Sequence, residues 1–195
     1  YAGQGIHYAK AWKELRELAE QWNIPVTTSI EGKSAFPEDH PLSLGSGGRA
    51  NSRPVKRYLE ESDLILGLGV SFALTAFGVP MPPGKKIIHA TLDPIDLNKD
   101  VPADIGLIGD AKLTLAALNS ELSDADSSKA AARANEPETI NQLKEEWMQE
   151  WLPKLSNNEA PINPYRVVAE LNQLVDKGKV VITHDAGSPR DQITP

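Results

Sequence analysis

The chain has 195 residues, 40% of them hydrophobic and 24% charged, with a formal charge of −7 and no cysteine. That is the composition of an ordinary globular chain, long enough for one well-buried domain plus an extra piece, or for two small domains. The acidic balance argues against a nucleic-acid binder, no apolar run is long enough to cross a bilayer, and the lack of cysteine excludes disulfides and thiol chemistry and fits a cytoplasmic origin.

The opening Tyr1-Ala-Gly-Gln-Gly5 lacks the charged start and apolar core of a signal peptide. Gly3-Gln-Gly5 reads instead as the turn after a strand that is mostly missing. With no Met at its start and an abrupt stop at Pro195, the chain is expected to be a piece of a longer protein. His7 to Asn23 carries Tyr8, Trp12, Leu15, Leu18, Ala19 and Trp22 at helical spacing, which predicts one amphipathic helix. Pro25 ends it, and Ile24 to Ser29 is a short strand rich in β-branched residues. Glu31 to Asn51 holds three prolines or glycines in each half and predicts a long irregular connection of the kind that is often functional. Pro54 to Glu61 follows as a short helix with Val55, Tyr58 and Leu59 on one side.

Asp63-Leu-Ile-Leu-Gly-Leu-Gly-Val-Ser-Phe72 is the stretch on which the rest is built. An apolar run of this kind suits a central parallel strand covered on both faces. It ends in Gly67-Leu-Gly69, where the backbone can turn sharply or let a ligand approach. In an open α/β sheet ligands sit at the carboxyl ends of strands. Gly69, Ser71 and Phe72 are therefore candidates for nucleotide contact, with a plain strand-to-loop turn as the alternative. After a second irregular stretch, Lys86 to Leu92 is a strand ending at Asp93-Pro94, and Ile105 to Ile108 is another. Asp93 could accept from a ribose or simply start a turn. Asp110 could lie near a cofactor or serve only as N-cap of a helix over Ala111 to Leu122. Alternating helices and strands predict a parallel, Rossmann-like, three-layer α/β unit over residues 1–122.

Residues 123–137 are rich in Ser, Ala, Asp and Asn and predict a flexible linker. Residues 138–195 then read as helices and a first strand leading into another α/β domain. Glu138 to Leu155 is a helix with Ile140, Leu143, Trp147 and Trp151 in one stripe and Pro153 interrupting its end. Asn163-Pro164 caps the next helix, Lys179 to Thr183 is a strand, and His184-Asp-Ala-Gly-Ser188 is its loop. The histidines have no metal-ligand spacing, no Ser-His-Asp pattern stands out, and Trp147 with Trp151 suits packing better than binding.

Five pieces in fixed order carry a resemblance: Ala2-Gly-Gln-Gly5, Ile24-Pro-Val-Thr-Thr28, the segment from Gly32 to Gly45, Ser62 to Gly69, and Gly109-Asp-Ala111. Residues 1–122 resemble the central domain of thiamine-diphosphate-dependent enzymes of the acetolactate synthase and 2-oxo-acid decarboxylase group. The tail resembles the start of that family's diphosphate-binding domain. The resemblance implies a lyase or transferase using thiamine diphosphate and magnesium on a 2-oxo acid, active as a homo-oligomer, with the activating glutamate and the metal motif in pyrimidine- and diphosphate-binding domains outside this chain. The chain alone is then expected to be inactive and to hold no catalytic residue or metal ligand. It implies flavin-nucleotide contact for Gly3, Gln4 and Gly5, and diphosphate contact for Asp185, Gly187 and Ser188. In family members that bind FAD two arginines stand at the positions of Ser71 and Thr75. Their absence argues against FAD, while an adenine nucleotide stays open. A stand-alone nucleotide-binding module and a purely structural subunit-pairing domain are the competing readings.

Overall fold

The structure, a computed structural model, describes residues 1–48, 51–184 and 187. Its strands are β1 (Val26–Thr28), β2 (Ser43–Ser46), β3 (Leu64–Leu68), β4 (Lys86–Thr91) and β5 (Ile105–Ile108). β1 pairs with β2, β3 with β4, and β4 with β5, each in parallel. Ala2 joins the two groups, bridging in parallel to Thr28 on one side and to Leu68 on the other. Its N–H donates to the Thr27 carbonyl at 2.9 Å, while the Leu68 N–H donates to Tyr1 and the Gly3 N–H to Leu68. The spatial order is therefore β2, β1, Ala2, β3, β4, β5. This is a doubly wound order whose direction reverses between Ala2 and β3, the place where such sheets open a crevice.

Right-handed crossovers on either side of that reversal must fall on opposite faces of the sheet. Helices α1 (Gly5–Ala9), α2 (Trp12–Trp22) and α4 (Ala111–Leu122) pack on one another as one layer. Helix α3 (Arg53–Glu61) packs with α6 (Glu136–Leu155), which in turn contacts α7 (Pro164–Leu174). Between the layers lies one apolar core that includes Ile6, Leu15, Leu18, Val26, Val55, Ile65, Leu68, Ile87 and Leu115. Parallel α/β architecture is thus as expected. None of the described helices is long and apolar enough to cross a membrane.

Four local expectations need correction. The helix predicted over His7 to Asn23 is two helices, because Lys10 adopts a left-handed conformation at φ 52° and turns the chain. Tyr8 and Trp12 consequently face outward, and only Leu15, Leu18, Ala19 and Trp22 reach the core from α2. The Glu31 to Asn51 connection contains β2, which is short and broken by Gly45 at φ 93°, with a register shift opposite Val26 and Thr27. The Ser123 to Pro137 stretch holds a helical turn, α5 (Ser128–Ala131), on alanines of high helix propensity. Asn23 Nδ2 donates to the Ala130 carbonyl at 3.1 Å and ties that turn to α2. Finally, Lys179 to Thr183 is irregular, with Val181 92% exposed. A strand requires a neighbour, and among the described residues no ladder takes this segment up.

Candidate ligand-binding site

The crevice at the reversal is built from two glycine turns pressed together. β3 runs into Gly69 at φ 59°, a conformation that L side chains avoid. A Cβ on Gly69 would lie 2.9 Å from the Gly5 backbone, and one on Gly3 would lie 2.4 Å from the Gly69 carbonyl oxygen. The Gly3 N–H donates to the Leu68 carbonyl at 2.9 Å and the Gly5 N–H to the Gly69 carbonyl at 2.8 Å. These two N–H groups are therefore spent on the sheet. The close approach, more than any ligand, accounts for glycine at these positions.

The turn that follows Gly69 folds inward. Phe72 has φ 52° and is almost fully buried. Its ring stacks on Tyr1 at 5.8 Å, meets the His89 ring edge-on at 4.8 Å, and lies over Gly67, where a Cβ would be 2.3 Å from it. His89 is completely buried on β4, and its Nε2 donates to the Val70 carbonyl at 2.6 Å. That bond places the ring proton on Nε2 and leaves Nδ1 without a protein partner. His89 showed nothing in the sequence beyond a lone histidine in an apolar strand, yet it pins the Val70-Ser-Phe turn from below.

Above this floor is a cavity of about 590 Å³. Gln4, Gly5, Gly69, Ser71, Phe72, Asp93 and Asp110 all line it, although they come from four separate parts of the chain. Gly3 is not among the lining residues. Gly187 is not in the lining, and Asp185 and Ser188 lie outside the described residues. Glu31, Thr91 and Asp96 also line it and were not singled out in the sequence. The signal for Asp96 was its place three residues after Asp93, past the carboxyl end of β4. Asp93 Oδ1 accepts from the Ile95 N–H at 2.9 Å and opens a short turn of 3₁₀ helix over Pro94–Asp96. Asp110 Oδ1 accepts from the N–H groups of Lys112 and Leu113 at 2.9 and 3.1 Å, which is the N-cap role.

The electrostatics are one-sided. The described lining includes Glu31, Asp93, Asp96 and Asp110 and no Lys, Arg or His. Burial, reinforced by the Glu31 charge, pushes the Tyr1 phenol up to about 12. Among the described residues no group of His, Asp and Glu side chains is arranged to hold a metal ion. The mouth is apolar, with Tyr8, Leu74 and Leu92 lining the cavity while 78%, 65% and 70% exposed. Such a site can enclose a flat molecule and accept hydrogen bonds from it.

Residues 1–118 match the family described as thiamine pyrophosphate enzyme, central domain. The chain belongs to that family. It is 33% identical over 195 residues, 95% of its own length, to a protein of Methanococcus aeolicus assigned as an acetolactate synthase large subunit. Its identity to the corresponding protein of Methanocaldococcus jannaschii is 35% over 193 residues. With the acetolactate synthase of Mycobacterium avium it shares 37% over 120 residues, 60% of this chain and 19% of that one. A solved structure of an enzyme from Mycobacterium smegmatis, assigned as thiamin diphosphate-dependent, superposes with a TM-score of 0.51 at 28% identity, covering 61% of this chain and 23% of that one. The chain spans about a third, 32%, of the length of the two archaeal relatives. For a member of this family the two positions Ser71 and Thr75 are telling. Both line the cavity, and neither supplies the positive charge with which the flavin-binding relatives of the resemblance would meet a diphosphate.

Proposed function

We propose that this chain is the central portion of a thiamine-diphosphate-dependent enzyme acting on a 2-oxo acid in the manner of an acetolactate synthase. The observation that carries the reading is similarity to acetolactate synthase large subunits over 95% of the chain, well past residue 118 where the family match stops. Residues 1–122 are the central unit, 123–137 the connection, and 138–195 the lead into the diphosphate-binding domain. The parent enzyme works as a homo-oligomer in the cytoplasm, with magnesium accompanying the cofactor. When bound, thiamine diphosphate supplies a carbanion and an electron sink for decarboxylation and carbon–carbon bond formation.

The part of this chain is support and placement. Its sheet carries one domain's worth of core, its tail includes Asp185, Gly187 and Ser188, to which the resemblance assigns diphosphate contact, and its crevice is a site for a nucleotide-type ligand. The position of the cavity at the reversal of strand order supports that last point. The length of the relatives favours this reading over a stand-alone module. A fluorescence titration of the full-length polypeptide with thiamine diphosphate tests it. Saturable quenching that requires magnesium is expected. Absence of cofactor binding would remove the reading.

A further inference from the structure

The reading of the crevice as a ligand site is the basis for a further step, which concerns the charge of what it accepts. At such a crevice a phosphate is ordinarily met by glycine N–H groups and by a helix start. Here the Gly3 and Gly5 N–H groups already donate to the Leu68 and Gly69 carbonyls. The start of α4, which also borders the cavity, is occupied by the Asp110 carboxylate on the Lys112 and Leu113 N–H groups. The glycine and helix-start N–H groups that would hold an anion are thus taken. Glu31, Asp93 and Asp96 add negative charge with no cation among the described lining residues. The Glu31 charge reaches inward, since it adds to burial in holding the Tyr1 phenol high. A phosphate entering this space would lose water and meet carboxylates, with no cation among the described lining residues to offset them.

The same features suit a different ligand. Tyr8, Leu74 and Leu92 offer exposed apolar surface at the mouth for a flat ring. Asp93 and Asp96 keep acceptor capacity beyond the Ile95 N–H and the Thr91 hydroxyl that they already accept from, enough for sugar hydroxyls. We propose that this cavity binds an uncharged, hydroxyl-bearing heteroaromatic ligand of the nucleoside type and discriminates against its phosphorylated forms.

The test is calorimetric titration of the full-length polypeptide, saturated with thiamine diphosphate and magnesium, with adenosine, AMP, ADP and FAD. Adenosine is expected to bind at least about tenfold more tightly than ADP at low salt, with the gap closing as salt is raised. Glu31→Gln removes one charge at an exposed position. It is expected to raise ADP affinity roughly two- to fivefold and to shift adenosine affinity by less than that. ADP or FAD binding as tightly as adenosine, or a Glu31→Gln variant with unaltered ADP affinity, would overturn the charge discrimination while the cavity remained a ligand site. No binding by any of the four would overturn the ligand site itself.

Discussion

Substituting Gly69 with Ala isolates the contact on which the crevice depends. Two costs add. The first is conformational: a non-glycine residue at φ 59° costs roughly 1 kcal/mol. The second is steric: the new Cβ would lie 2.9 Å from Gly5 C, Gly5 Cα and Ile6 N, all backbone atoms that cannot swing aside. Forcing an added carbon into such a contact costs about 1–3 kcal/mol. The total is about 2–4 kcal/mol, a fall in melting temperature on the order of 10 °C for a chain of this size. Gly84 provides the control, because it too has positive φ, 76°, but nothing lies within 4 Å of its added Cβ. Gly84→Ala should lose only the conformational part, about 1 kcal/mol. Urea and thermal unfolding of the two variants beside the parent give the comparison. Equal losses would show that the two turns are not pressed together, and the geometry of the crevice would be wrong.

Other outcomes follow from the packing. Leu115 is fully buried where α4 meets the core, and Leu115→Ala should cost about 2–5 kcal/mol in denaturant unfolding. Ile140 on α6 is 1% exposed. Ile140→Ala should cost a similar amount, about 2–5 kcal/mol, if α6 belongs to the folded unit, and almost nothing if it is a detached linker helix. The Tyr58 hydroxyl donates to Glu136 and joins α3 to α6. Tyr58→Phe should cost roughly 1–2 kcal/mol near neutral pH. Burial first, and then the Glu136 hydrogen bond, hold the Tyr58 phenol well above its ordinary value of 10.0. The unfolded chain therefore loses this proton first, so stability is full below about pH 10 and falls as pH rises beyond it. Unfolding curves between pH 8 and 11 should show a shallower fall for Tyr58→Phe than for the parent.

Local signals in the sequence carried far. The apolar runs at 64–68 and 86–91 became β3 and β4, and Asp110 and Asn163 became N-caps whose carboxylate or amide oxygen accepts helix N–H groups. What failed to show depends on distant partners. Periodicity runs unbroken through Lys10, whose left-handed turn is imposed where the Lys10 and Ala11 N–H groups fold back onto His7 and Ile6. β2 exists because β1 lies beside it, and Gly45 hides it from a propensity reading. The 179–183 segment has strand composition but no ladder among the described residues. At the site, the gathering of Gln4, Gly69, Phe72, Asp93 and Asp110 followed from the rule that ligands sit at strand carboxyl ends. The occupied glycine N–H groups did not, since they arise from backbone contacts of Gly3 with Leu68 and Gly5 with Gly69, and neither did the inward turn of Phe72, which rests on ring contacts with Tyr1 and His89.

The central claim is that these residues hold a cofactor enzyme together without carrying its reactive groups. Formation of acetolactate from a 2-oxo acid, assayed with thiamine diphosphate and magnesium, tests it most directly when the full-length polypeptide is run beside the 195-residue chain. Cofactor-dependent turnover by the full-length polypeptide and none by the shorter chain is the expected result. Turnover by the shorter chain alone, or no cofactor-dependent turnover by the full-length polypeptide, would contradict it.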